Sequence, residues 1–137
     1  MHSGLAARGH GFSLVELLVV VVIAGILASI AYPSFTAHLV RANRSAAQSL
    51  MLDAAARQER FLLDRRGYTD VLGAGGLGMN VPSEVSTNYA IVLAVDNGAT
   101  PPIYTVVATP LPGSRQINDG ALTLTSQGTK LPAEKWQ

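Results

Sequence analysis

The 137-residue chain divides into three stretches by where its apolar residues fall. Residues 17–31 carry no charge, and with Phe12 to Val15 in front of them the apolar run reaches the roughly 20 residues, or about 30 Å of helix, that a bilayer requires. From Leu39 onward apolar residues return at intervals of three and four, at Val40, Ala47, Leu50, Met51, Ala54, Phe61 and Leu62, which predicts an amphipathic helix. Its other side carries Arg41, Arg44, Asp53, Arg57, Glu59, Arg60 and Asp64. Gly67 is positioned to cap it, with Arg60, Arg65 and Arg66 suiting the negative helix end. Beyond residue 88 the pattern turns to β-branched and aromatic runs at 89–95, 103–109 and 121–125, separated by Asn, Gly and Pro. The economical arrangement is an antiparallel meander of three to four strands packed on residues 39–62, an α+β architecture.

Pro33 lies between the two helical stretches and is expected to bend or loosen the helix near residues 29–33 without ending it. The expected organisation is a leader at 1–11, a membrane-length helix half at 12–35 and a globular head at 36–137. Within the head, a helix covers 36–66, an irregular surface connection 67–87, the meander 88–126 and an irregular C-terminal loop 127–137. Trp136 is expected to plug the sheet edge.

Composition locates the excess of apolar residues and little else. The chain is 48% hydrophobic with a net charge of only +1, and Arg8 is the one formal charge before residue 12. Bulk attraction to nucleic acid is therefore not indicated. Arg8 ahead of the apolar run places the N-terminus on the cytoplasmic side and the head outside. With no cysteine, disulfides and thiolate metal sites are excluded.

The charge that changes the picture is Glu16, at the lip of the apolar run. An acid in a first helical turn gains about 0.3–1 kcal/mol from the helix dipole, whereas a carboxylate deep in the apolar phase costs about 2.5–3.5 kcal/mol. The cost dominates, so Glu16 calls for a partner. A secretory signal cut near Ala28–Ala31 would have no use for such a residue.

The sequence GFSLVELL, after a short leader with one basic residue, resembles the prepilins of the type IV pilin family. The resemblance implies the pilin fold, a long kinked N-terminal helix whose C-terminal half packs on a small antiparallel sheet. It further implies cleavage by prepilin peptidase between Gly11 and Phe12, N-methylation of Phe12, and a charge pair between the Phe12 ammonium and Glu16 of a neighbouring subunit that sets register. Pro33 would supply the kink. AARQERFLLDRRGYT at 55–69, YTVVATP at 104–110 and GALTLTSQGTK at 120–130 are similar to minor pilins of the PilE-like branch. Implied partners are major and minor pilin subunits, the peptidase, the inner-membrane assembly platform and, before assembly, membrane lipid. The implied role is structural, in a surface pilus supporting twitching motility and adhesion. Competence pilins that bind DNA, and type II secretion pseudopilins, share the N-terminal motif.

Members of the family commonly close a C-terminal loop with a disulfide, and the positions nearest those cysteines are here Asp119 and Lys135. A disulfide over about 15 residues contributes roughly 3 kcal/mol and an exposed ion pair about 0–1 kcal/mol, so pairing of these two would compensate only partly.

Catalytic chemistry has no constellation to rest on, so the chain is not expected to be an enzyme or to need a cofactor. His38 stands alone on the helix, and Gly73, Gly75, Gly76 and Gly78 lack the strand and Lys-Ser or Lys-Thr of a phosphate loop. Asp96, Asp119 and Glu134 are too scattered for calcium, and no metal site is expected. The case for DNA rests on Arg57, Arg60, Arg65 and Arg66, with Arg41 and Arg44 suiting the outer membrane surface.

Overall fold

The computed structural model describes residues 11–136, so the expected leader, apart from Gly11, lies outside the described residues. A single helix, α1, runs Leu14–Arg65 through Pro33. Two compact units divide the chain, Met1–Ala37 and His38–Gln137, and α1 contributes to both.

In the first unit α1 is long and apolar enough to cross a membrane, and no residue of its apolar window is buried. Leu14, Val15 and Leu17 through Ile23 all stand exposed, as do Ile26, Leu27 and Ile30. Pro33 has no N–H to give the Ser29 carbonyl. Around it three hydroxyls bond back to the helix: Ser29 Oγ donates to the Ile26 carbonyl, Ser34 Oγ to Ala31 and Thr36 Oγ1 to Pro33. Such side-chain bonds compete with the helical ladder and loosen it locally.

The second unit folds around the apolar stripe. Ala47, Leu50, Met51 and Ala54 are buried, spaced to fall on one face of α1. They join one core cluster with Tyr89, Leu93, Tyr104, Val106, Ala108, Leu122 and Leu124. These come from an antiparallel sheet of four strands in sequential order: β1 (Tyr89–Asp96), β2 (Ile103–Pro110), β3 (Leu122–Thr125) and β4 (Lys130–Leu131). Register pairs Leu93 with Val106 and Val106 with Leu124, keeping one face of β1, β2 and β3 toward the core, while both residues of β4 are exposed.

Three sequence expectations are corrected. The connection at 67–87 is not an irregular surface loop: it contains α2 (Ser83–Ser86) and buries Tyr68, Leu77, Met79 and Val85. Those apolar residues, not the intervening glycines, decide its course. The C-terminal stretch 127–137 is likewise not wholly irregular, since it supplies β4 and a 3₁₀ turn at Ala133–Lys135. Finally, Gly67 does not cap α1 in the left-handed conformation. Arg66 does, at φ 59°, with its N–H on the Leu62 carbonyl at 2.8 Å. Gly67 serves a close approach instead, for a Cβ there would lie 3.2 Å from Asn97 Oδ1.

Candidate functional site

The N-terminal residues singled out by sequence stand open. Gly11 has no atom within 4 Å of where a Cβ would project, Phe12 is 76% exposed and Glu16 sits in the first turn of α1. Among the described residues Glu16 has no ion-pair partner, and the helix around it offers only apolar side chains. The carboxylate is thus presented on an uncovered apolar helix, so any countercharge must come from elsewhere.

The head contains a polar cluster that ties four segments together. Asp119 Oδ1 lies 3.2 Å from Arg44 Nη1 on α1 and 3.6 Å from Lys135 Nζ in the C-terminal 3₁₀ turn. Its other oxygen accepts from the Tyr89 hydroxyl of β1 at 3.4 Å. Gln116, fully buried, donates from Nε2 to that hydroxyl at 2.7 Å and to the Val40 carbonyl at 3.1 Å. Gln48 Nε2 donates to the Lys135 carbonyl at 2.7 Å, fixing the same segment a second time. Burial, and the nearby Asp119 carboxylate after it, push the Tyr89 phenol above its ordinary range, against the lowering effect of the Gln116 bond. The structure therefore brings Asp119 and Lys135 together, but Arg44 is the nearer cation. Arg44 is not on the solvent face expected of it; it turns inward because Asp119 is there to receive it.

A second pair of amides clamps the chain as it leaves α1. Gln58 accepts the Thr69 N–H on Oε1 at 3.0 Å and donates from Nε2 to the Thr69 carbonyl. Asn97, in the β1–β2 turn, does the same for Tyr68, at 2.8 Å from its N–H and 3.0 Å to its carbonyl. Each side-chain amide replaces the neighbour strand that this backbone lacks. Tyr68 then stacks edge-on to Tyr104, ring centroids 4.7 Å apart, and donates to Glu59. Burial, with Glu59 adding to it, raises the Tyr104 phenol to about 12. Gln58 had a signal in the sequence, a polar residue four positions after Ala54 on the apolar stripe; Gln116 and Asn97, in loops, had none.

The four arginines named as a basic patch are not equivalent. Arg57 is engaged, with Nε on Asp53 at 3.1 Å and Nη1 on the Leu77 carbonyl at 3.2 Å. Arg65 lies over the Phe61 ring at 5.9 Å, while Arg60, Arg65 and Arg66 form no ion pair among the described residues. Arg57 and Arg60 line a shallow cleft of about 220 Å³ with Phe61, Asp64, Gly76 and Leu77. His38 and Arg41 are exposed. Trp136 is half-buried against the core, its indole N–H on the Leu131 carbonyl of β4 and Lys130 over its ring. Among the described residues no three metal-ligating side chains converge.

Residues 33–125 match the family profile described as type IV minor pilin ComP, DNA uptake sequence receptor, and residues 7–32 match the prokaryotic N-terminal methylation motif. The chain is 35% identical over 92 residues to the type IV wide pilus major component PilA4 of Thermus thermophilus, covering 66% of this chain and 69% of that one. It is 38% identical over 63 residues to the type IV major pilin protein PilA of Myxococcus xanthus, covering 46% of this chain and 29% of the relative. It is also 30% identical over 88 residues to PilE1, a type IV major pilin protein of Neisseria gonorrhoeae, covering 64% of this chain and 48% of the relative. The matched region thus spans under a third of the Myxococcus protein and about half of the Neisseria one.

Proposed function

The chain belongs to the type IV pilin family, and on that premise we propose that it is a minor pilin, a structural subunit that joins a surface pilus through its N-terminal helix. Prepilin peptidase cuts between Gly11 and Phe12, and the new Phe12 terminus is methylated. Before assembly residues 12–35 hold the subunit in inner-membrane lipid, N-terminus inside and head outside; the assembly platform then passes it to the filament. There the Phe12 ammonium of one subunit pairs with Glu16 of a neighbouring major or minor pilin. Pro33, with the back-bonding hydroxyls of Ser29, Ser34 and Thr36, gives the helix local freedom to seat. Twitching motility and adhesion are the activities such a subunit would support.

The observation that carries this reading is Glu16 itself, a carboxylate on an uncovered apolar helix with no partner among the described residues. Leaving it unpaired costs more than the helix dipole returns, and a buried pair acts chiefly on register. The test is mass spectrometry of the membrane-extracted protein together with Glu16→Ala in sheared filaments. The expected result is a chain beginning at N-methylated Phe12, and a variant that is processed but absent from filaments. An intact Met1 overturns the reading.

DNA capture is the second reading, favoured by the similarity of residues 33–125 to the ComP minor pilins and by Arg60, Arg65 and Arg66 standing without ion pairs among the described residues. If they hold phosphates, replacing all three by Gln lowers duplex affinity and flattens its salt dependence by roughly one unit of log–log slope per lost contact. Unchanged retention would dispose of it.

A further inference from the structure

The turn between β1 and β2 carries the one Asn-Gly step of the sequence, Asn97–Gly98. Asparagine is a chemically labile residue, and most so before glycine, because no Cβ shields the glycine nitrogen from the neighbouring Cγ. Asn97 and Gly98 are both exposed, so burial does not keep water from them. Hydrogen bonds hold them instead. Both ends of the Asn97 amide are engaged with Tyr68: Oδ1 takes its N–H at 2.8 Å and Nδ2 donates to its carbonyl at 3.0 Å. The Gly98 N–H has a different acceptor, Asp96 Oδ1 at 2.9 Å, which also takes the Ala99 N–H at 3.2 Å. The electrophile and the nucleophile of the step are thus tied to separate groups, one to the chain leaving α1 and the other to the end of β1. A carboxylate on the Gly98 N–H also opposes loss of its proton, since the amide anion would form beside a negative charge.

We propose that Asn97–Gly98 is a modification site gated by the fold: the closed head suppresses the reaction, and an opened head converts Asn97 irreversibly. Once both sets of bonds release, the Gly98 nitrogen bonds to Asn97 Cγ and the Cγ–Nδ2 bond breaks. The proton lost by Gly98, carried by water, ends on the departing nitrogen, which leaves as ammonia. The product is a succinimide ring. Water then opens it: addition at Cγ gives aspartate, and addition at the main-chain carbonyl gives isoaspartate, with the chain now running through the former side chain. Water enters and ammonia leaves with no redox change, so solvent is the only co-reactant. Neither product rebuilds the turn. Aspartate can accept the Tyr68 N–H, but its second oxygen meets the Tyr68 carbonyl as acceptor against acceptor, where Nδ2 had donated. Isoaspartate adds a methylene to the main chain and moves the carboxylate off its partners. Tyr68 then loses the bonds that hold its backbone while its ring lies edge-on to Tyr104 and its hydroxyl donates to Glu59. A head that has stood open is thereby marked, whereas one that opens only briefly is not. The inference concerns the head alone and goes beyond the assembly and DNA readings.

The test uses the full chain in detergent micelles at mildly alkaline pH, folded or with the head unfolded in urea, and follows residue 97 by peptide mass spectrometry. Conversion is expected to be about thirtyfold slower in the folded head, the factor that two ordinary hydrogen bonds confer. Gly67→Ala, whose new Cβ presses on Asn97 Oδ1, is expected to speed conversion in a head still folded by its near-ultraviolet signal. Should that variant melt early, Asp96→Ala, which frees the Gly98 N–H, takes its place with the same expectation. Refolding after increasing times in urea reads the consequence. The fraction regaining the near-ultraviolet signal is expected to fall in step with the fraction converted. Gly98→Ala, which crowds the attacking nitrogen, is expected to convert slowly and to keep its ability to refold. Equal rates in folded and unfolded chains overturn the proposal, as does a folded variant head that converts no faster than the parent. A loss of refolding that does not follow conversion, or that Gly98→Ala does not prevent, overturns it as well. None of these results bears on cleavage at Gly11 or on Glu16, so this inference and the assembly reading stand or fall separately.

Discussion

Asp119 balances two cations through one oxygen while its other oxygen takes the Tyr89 hydroxyl, so Arg44 and Lys135 share one counter-ion among the described residues. Asp119→Asn leaves Arg44 and Lys135 facing each other with no countercharge. Complete burial would make that cost about 3–5 kcal/mol; both cations retain some water, so a loss of about 2 kcal/mol is expected. Lys135→Gln removes the longer and more exposed contact and is expected to cost below about 1 kcal/mol. Urea unfolding of the full chain in detergent micelles measures both, and the order, Asn at 119 worse than Gln at 135, is the decisive result. The sequence alone allowed the 119–135 contact to be stated as an expectation. It could not reveal Arg44, because from Arg44's place on a charged helix face nothing distinguishes an arginine that finds water from one that finds a loop 75 positions away.

Among the elements, the end of α1 shows how a terminus read from residue preference can be displaced by one position. A glycine after a run of arginines predicts a left-handed cap, yet the cap falls on Arg66, because Gly67 is needed where Asn97 comes close. A left-handed non-glycine residue costs about 1–2 kcal/mol, so Arg66→Gly is expected to stabilise the head by about 1 kcal/mol. Gly67→Ala is expected to destabilise it by crowding the amide that holds both backbone groups of Tyr68. Thermal unfolding of the two variants should shift in opposite directions. The long strands were legible, since β1 and β2 are dense in β-branched residues and bounded by turn formers. β4 was not, because two residues carry no alternation to read. The fold of residues 67–87 was hidden for another reason: its glycines advertise a loop, while Leu77 and Met79 bury themselves with no periodicity to announce it.

At the scale of the whole molecule, one helix serves two environments. Every large apolar side chain from Leu14 to Phe35 is open, whereas the head keeps a core of its own. Heating the protein in detergent is therefore expected to abolish the near-ultraviolet signal of Tyr68, Tyr89, Tyr104 and Trp136 in one transition, leaving helical far-ultraviolet signal from the N-terminal half of α1. Simultaneous loss of both signals would show that the halves melt as one. This division was legible in the sequence because an uncharged run of membrane length cannot be mistaken for an amphipathic stripe. The polar cluster beneath the C-terminal segment was not, since Gln116 and Gln48 belong to no motif. Its consequence reaches past stability. A head closed by an aspartate and two cations forms without an oxidant, a disulfide isomerase or a thiol to protect. Its closure does not depend on the thiol–disulfide poise on either side of the membrane, and a head that comes apart can close again with no disulfide to re-form.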